Sequence, residues 1–360
     1  MNLLKNWEHI QSRYDEFWAM QNNDRPLMFV TSPKNGSDYS KAPKLPEDLT
    51  ARWMAFDKVI AKNRWTLENS YYTGEGFPYF MPNLGPDIFG AILGCELVFG
   101  EDTSWAKHFV ADWAECESFK LDKRGKWYKA LSEFTDMAVA DSRGDYIVGV
   151  TDLHPGVDAL VSLRGPEDLC MDLYDCPEMI MPLPEKIWPV MKELYLDQVK
   201  RTSCGISGTV TWLPCYHRKN WYVLSCDFMC LISTGFFEAF ALPELLTEME
   251  FFDANLFHLD GPGALRHIDR LLEIPALGGI QWVSGSGAAR ESEWTDLLVK
   301  VQRAGKRLQL NVAPNDIERL AGFLKPEGVL LSVYCGCEDE ANYVVRLADS
   351  LQWGALQHLV

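Results

Sequence analysis

His258-Leu259-Asp260 places an imidazole and a carboxylate two positions apart at the end of an apolar run, Ala254 to Phe257. In an extended strand such residues point to the same side, so the two groups can act on one ligand. Cys335 follows a second apolar run, Gly328 to Val333. His258, Asp260 and Cys335 together offer N, O and S donors of the kind that hold zinc with one position open for substrate. A structural His–Asp hydrogen bond and an unrelated buried thiol fit the same spacing.

Thr151-Asp152-Leu153-His154 is a second cluster, in which Asp152 is suited to act as general base or substrate anchor and His154 as proton carrier. An Asx turn before Pro155-Gly156 accounts for the same residues. Asp227 follows the run Tyr222 to Cys226 and either orients a ligand or caps the next segment. Asp152, His154 and Asp227 are therefore the expected catalytic groups. Trp212, Asn311 and Trp282 are the expected substrate contacts. Trp212, Trp282 and the aromatic stretch Tyr71, Tyr72, Phe77, Tyr79 and Phe80 form either a lid or ordinary core.

These residues share a position in the pattern. Ser32, His154, Trp212, Asp227, His258, Ser284, Asn311 and Cys335 each lie at or just beyond the end of a short apolar run. The runs are Leu27 to Thr31, Tyr146 to Thr151, Ile206 to Trp212, Tyr222 to Cys226, Ala254 to Phe257, Gly279 to Val283, Arg307 to Val312 and Gly328 to Val333. Helical windows alternate with most of them: Pro166 to Tyr174, Pro177 to Lys200, Gly235 to Phe251, Ala264 to Leu272, Glu291 to Ala304, Asn315 to Phe323 and Asp339 to Leu351. Continuous apolar strands, each followed by a helix, predict a parallel sheet buried on both faces, and eight of them predict a (β/α)8 TIM barrel. An amphipathic helix, Leu3 to Met20, precedes the first strand. Residues 31–145 read as a long insertion or lid, with turn chemistry throughout Tyr71 to Pro86. The connection Leu213 to Trp221 is too short for a helix. The expectation is a single α/β domain over residues 1–360.

The formal charge of −17 in 360 residues argues against a nucleic-acid surface, which needs a basic footprint. No apolar run is long enough to span a membrane, and Met1 to Asn23 is charged and Trp-rich rather than a signal peptide. The expectation is a cytoplasmic protein whose ten cysteines are reduced. Cys335-Gly336-Cys337 lacks the two-residue gap of zinc ribbons.

A family likeness resides in three stretches. They are Pro155-Gly156-Val157-Asp158-Ala159-Leu160, then Leu163-Arg164-Gly165-Pro166-Glu167-Asp168-Leu169 with Asp172-Leu173 and Cys176-Pro177-Glu178, and finally Asp227 to Ser233 with Phe236-Phe237-Glu238, Leu242-Pro243 and His258-Leu259-Asp260-Gly261. Together they resemble the uroporphyrinogen decarboxylase superfamily over most of residues 145–350, with a fainter echo in Asn83-Leu84-Gly85-Pro86. The decarboxylases of that group use an N-terminal arginine-rich segment, whereas this chain has Arg25-Pro26-Leu27-Met28-Phe29-Val30 with no arginine pair after it. The corrinoid-dependent methyltransferase branch binds zinc through a His-x-Cys pair and a distant Cys. His258 and Cys335 match the outer positions, and Asp260 stands where the middle Cys would be, which makes the site harder.

The resemblance thus implies a zinc-dependent methyltransferase-like enzyme acting on a small molecule, with a corrinoid as substrate or carried by a partner protein. A uroporphyrinogen decarboxylase-like lyase and a non-catalytic corrinoid or small-ligand binder are the alternatives. No nucleic-acid or membrane partner is expected. A homodimer is compatible with the sequence, which leaves oligomeric state open.

Overall fold

A computed structural model describes residues 4–116, 118–203 and 207–355. Met1, Leu3 and Ile206, invoked above, and Cys204, one of the ten cysteines, lie outside them. In chain order the strands are β1 Leu27–Pro33, β2 Ser70–Gly74, β3 Tyr79–Phe80, β4 Glu96–Phe99, β5 Ser104–Lys107, β6 Ile147–Val148, β7 Thr209–Val210, β8 Tyr216–His217, β9 Trp221–Leu224, β10 Ala254–Asp260, β11 Gly279–Val283, β12 Arg307–Val312 and β13 Val329–Tyr334.

The fold is mixed α/β around a large, mostly parallel sheet of order β2-β1-β13-β12-β11-β10-β9, in which only β2 runs antiparallel. Runs such as Leu27-Met28-Phe29-Val30 and Val329-Leu330-Leu331 are apolar without alternation because both faces of the sheet are covered. One face packs under helices including Gly156–Arg164, Leu183–Thr202, Leu242–Phe251, Thr295–Arg303 and Glu338–Ser350, burying Met28, Val30, Leu259, Trp282 and Leu331. The other face forms a separate apolar cluster. Leu27 and Phe29 of β1 belong to it together with Trp221 and Val223 of β9, although these strands lie at opposite ends of the parallel ladder. The helix Trp7–Ala19 packs into this second cluster, the inner one below, with Ile10, Tyr14, Phe17 and Trp18, and Trp18 Nε1 donates to the Tyr216 carbonyl at 2.8 Å.

Several expectations are corrected. The stretch Tyr71 to Pro86 is not all turn: β2 joins the main sheet, β3 pairs in parallel with β6, and Phe77 is core. The predicted strand Tyr146 to Thr151 is only β6, although Val150 N donates to the Val210 carbonyl at 2.8 Å and so links to β7. The short connection Leu213 to Trp221 is explained by β8, which folds back antiparallel on β7. The helical window Gly235 to Phe251 is interrupted by a π-turn at Phe237–Ala241, just before Pro243 removes a backbone donor.

Arg25, the arginine nearest the first strand, is spent on structure. Its guanidinium donates twice to the buried Glu75 carboxylate, at 2.8 Å each, and Glu75 also accepts from Met28 N at 2.8 Å. Among the described residues no helix is long and apolar enough to cross a membrane, and no cysteine forms a disulfide.

Candidate functional site

Three strand ends converge. The loop after β6 carries Asp152 and His154 and leads into helix Gly156–Arg164, whose first turn carries Asp158; the segment after β9 carries Asp227; β10 ends in His258 and Asp260. Two tyrosine and carboxylate anchors hold the first two loops in place. Tyr222, on β9, donates its hydroxyl to the Thr151 carbonyl at 2.9 Å and accepts from Leu153 N at 2.6 Å. Asp158 accepts from the backbone N–H groups of Asp227 and Phe228 at 2.9 and 3.0 Å, tying the start of helix Gly156–Arg164 to the β9 loop. Gly156 adopts φ +60°, and a Cβ there would collide with the Glu244 carboxylate, so the tight entry into this helix needs glycine.

The functional atoms are close. His154 Nε2 lies 3.2 Å from Asp152 Oδ2, and its Nδ1 lies 3.7 Å from Asp158 Oδ2 and 3.9 Å from Asp227 Oδ2. Two trios, His154 with Asp158 and Asp227, and Asp227 with His258 and Asp260, each bring one ligand atom per residue within 4.8 Å of the others. Asp227 belongs to both. His258 Nδ1 donates to Gln281 Oε1 at 2.7 Å, which leaves Nε2 with its lone pair for a ligand or proton. The Trp212 ring meets His258 edge-on at 5.5 Å.

Charge crowding sets the protonation states. Burial alone would lower the pKa of His154, but the Asp152 carboxylate and then Asp158 outweigh it and hold His154 well above the usual imidazole range, as an imidazolium. Burial and repulsion from Asp158 push Asp227 up to about 6, with His154 and His258 pulling it back and Asp260 adding to the rise. Four carboxylates around two imidazoles are an excess of negative charge that a divalent cation offsets. Their N and O donors suit zinc or a harder ion.

Two expected site residues lie elsewhere. Cys335 is fully buried in the helix-covered layer, and its N–H donates to the Thr31 carbonyl at 2.8 Å. Strand alternation is the reason: Tyr334 takes the inner face, so the next side chain turns outward. Among the described residues no metal-competent trio includes Cys335, and Asp227 completes the set with His258 and Asp260. Burial raises the Cys335 thiol to about 11. Trp282 is likewise on the outer layer, fully buried and 5.2 Å from Trp294, because its neighbour Gln281 faces His258. Asn311 and Trp212 stay on the inner side. Asn311 lines a cavity of about 400 Å³ next to β1 and β13.

Asp158, Tyr222 and Gln281 were missed as site residues. Gln281 had a readable signal, a lone amide interrupting an apolar strand, and it pairs in register with His258. Asp158 had only its four-residue spacing from His154. No family model and no curated protein matches this chain.

Proposed function

We propose that this protein is a metal-dependent methyl-transfer enzyme whose divalent ion, zinc by choice of donors, is held by Asp227, His258 and Asp260. The observation that carries the reading is the sharing of Asp227 between that trio and a protonated His154. When bound, the ion supplies Lewis acidity to the heteroatom that gives up or accepts the methyl group. The chain's own groups do the rest. Gln281 fixes the His258 ring, Asp152 and Asp158 keep the proton on His154, and His154 holds positive charge and a transferable proton beside the reacting heteroatom. An N/O/O set is harder than a thiolate set, which favours oxygen or nitrogen leaving atoms that need this proton.

The same reading takes the sheet as a closed (β/α)8-type barrel continuing from β1 through β3, β6 and β7 to β9. It is supported by the β3–β6 pairing, the Val150–Val210 hydrogen bond and the inner cluster shared by β1 and β9. Reactive groups at strand C-terminal ends are then where such a barrel puts them. A lyase reading draws on the imidazolium of His154, which could protonate a carbanion; the uncharged lining of the cavity next to β1 and β13 offers no cation to a polycarboxylate substrate.

The test is to incubate zinc-loaded protein with cob(I)alamin and an aryl methyl ether or a methylamine as methyl donor and to follow the appearance of the cobalt–methyl absorbance. Turnover that collapses in His258→Ala supports the proposal. Cobalamin binding without turnover would instead favour a non-catalytic corrinoid binder.

A further inference from the structure

Asp227 is common to both metal-competent trios, so one carboxylate serves two sets of donors, His258 with Asp260 and His154 with Asp158. The two imidazoles are held alike. His258 Nδ1 donates to Gln281 Oε1 at 2.7 Å, and His154 Nε2 donates to Asp152 Oδ2 at 3.2 Å. An acceptor behind one ring nitrogen is the usual setting of a metal-ligating histidine, and it leaves the other nitrogen to bind the ion.

The His154 side has the spacing of a ligand set rather than of a hydrogen-bonded one. Nδ1 lies 3.7 Å from Asp158 Oδ2 and 3.9 Å from Asp227 Oδ2, too far for hydrogen bonds. Two donors on one zinc ion, each at about 2.0–2.1 Å in a tetrahedron, lie about 3.3 Å apart, so a small closing seats an ion among the three. Each Asp158 oxygen accepts one backbone N–H and keeps a lone pair. Charge points the same way. One divalent ion and the His154 proton leave the carboxylates of Asp152, Asp158, Asp227 and Asp260 with one negative charge unmatched, whereas two divalent ions and a neutral His154 match all of them.

We infer that a second divalent ion binds between His154 Nδ1, Asp158 and Asp227, with Asp227 bridging it to the ion held by His258 and Asp260. This rests on reading the first trio as a metal site. Ions clamped in such a pair lie about 3.5–4 Å apart. Asp152 is then the acceptor that orients a ligand. The second ion takes the place of the His154 proton, so at high metal concentration the centre loses its acid and methyl transfer stops.

The experiment loads the full chain with cobalt(II) as a spectroscopic stand-in for zinc, measuring bound metal by equilibrium dialysis and its signal by EPR. The native protein should bind two equivalents, the second at about tenfold or more higher free cobalt because a proton must leave. The EPR intensity per ion should fall as the second binds, the sign of two ions coupled through a shared carboxylate. His154→Ala should stop at one equivalent with an undiminished signal. A second equivalent that survives in His154→Ala, or two ions whose signals simply add, would overturn the inference. If His154→Ala does not fold, the stoichiometry and signal of the native protein decide. A single ion in the native protein, kept in His154→Ala and lost in His258→Ala, would overturn this inference alone; a single ion with the opposite dependence would overturn the reading of the first trio as well.

Discussion

His154 Nδ1 and Asp227 Oδ2 stand 3.9 Å apart, brought together from loops that follow β6 and β9. Burial and Asp158 raise the Asp227 carboxyl, the imidazolium partly offsets that rise, and the carboxyl is at the same time a candidate metal ligand. Acid–base and metal chemistry therefore meet in one pair.

Replacing His154 with Gln removes the proton and the positive charge while keeping a polar side chain. Methyl-transfer turnover should fall by roughly 10²- to 10⁴-fold, the usual contribution of a general acid. The alkaline limb of the native pH–rate profile should vanish in the variant. A variant with native turnover at pH 7 would remove His154 from the mechanism.

Metal affinity should depend on the ionisation of Asp227. Its carboxyl sits at about 6, so it is ionised above that pH and protonated below it. Zinc titrations by calorimetry should show affinity falling as pH drops from 7 through 6. Asp227→Asn should bind weakly at every pH and show a flatter profile.

Glu244 and Glu248 are buried acids behind Gly156, and the Glu248 oxygens have no hydrogen-bond donor among the described residues. Burial pushes Glu244 up to about 7, and burial with Glu244 beside it pushes Glu248 well above the usual range. A raised folded-state pKa means the native state binds more protons than the unfolded chain, so stability falls as pH rises above the ordinary glutamate value. Glu248→Gln should therefore stabilise the protein by roughly 1–3 kcal/mol at pH 8 and much less at pH 5. Melting curves at the two pH values check the sign.

Gly156→Ala should destabilise the protein by about 1–3 kcal/mol, because φ is positive and the Glu244 carboxylate occupies the space. Asp227 and His154 should also shift apart, so a loss of zinc affinity is expected alongside the lower melting temperature. Native stability in this variant would contradict the described packing.

The sequence revealed the parallel strands from β9 to β13 because long apolar runs between amphipathic helices leave little choice of partner. It did not reveal β3, whose two residues are shorter than any periodicity can register, and it drew β6 longer than the two residues that pair. His258, Asp260, Asp227, Asp152 and His154 were legible as polar groups at strand ends. Cys335 misled because it sits one residue past Tyr334, and one position in a strand changes the face. Asp158 acts across the fold, through the Asp227 backbone, and local spacing carries no trace of such a partner.

The central claim is that Asp227, rather than Cys335, completes the metal set with His258 and Asp260. Zinc content by mass spectrometry after chelation and reloading tests it on the native protein, Asp227→Asn, His258→Ala and Cys335→Ser. The account predicts stoichiometric zinc in the native protein and in Cys335→Ser, with loss in the other two. Zinc lost in Cys335→Ser and kept in Asp227→Asn, or no zinc in the native protein, would contradict it.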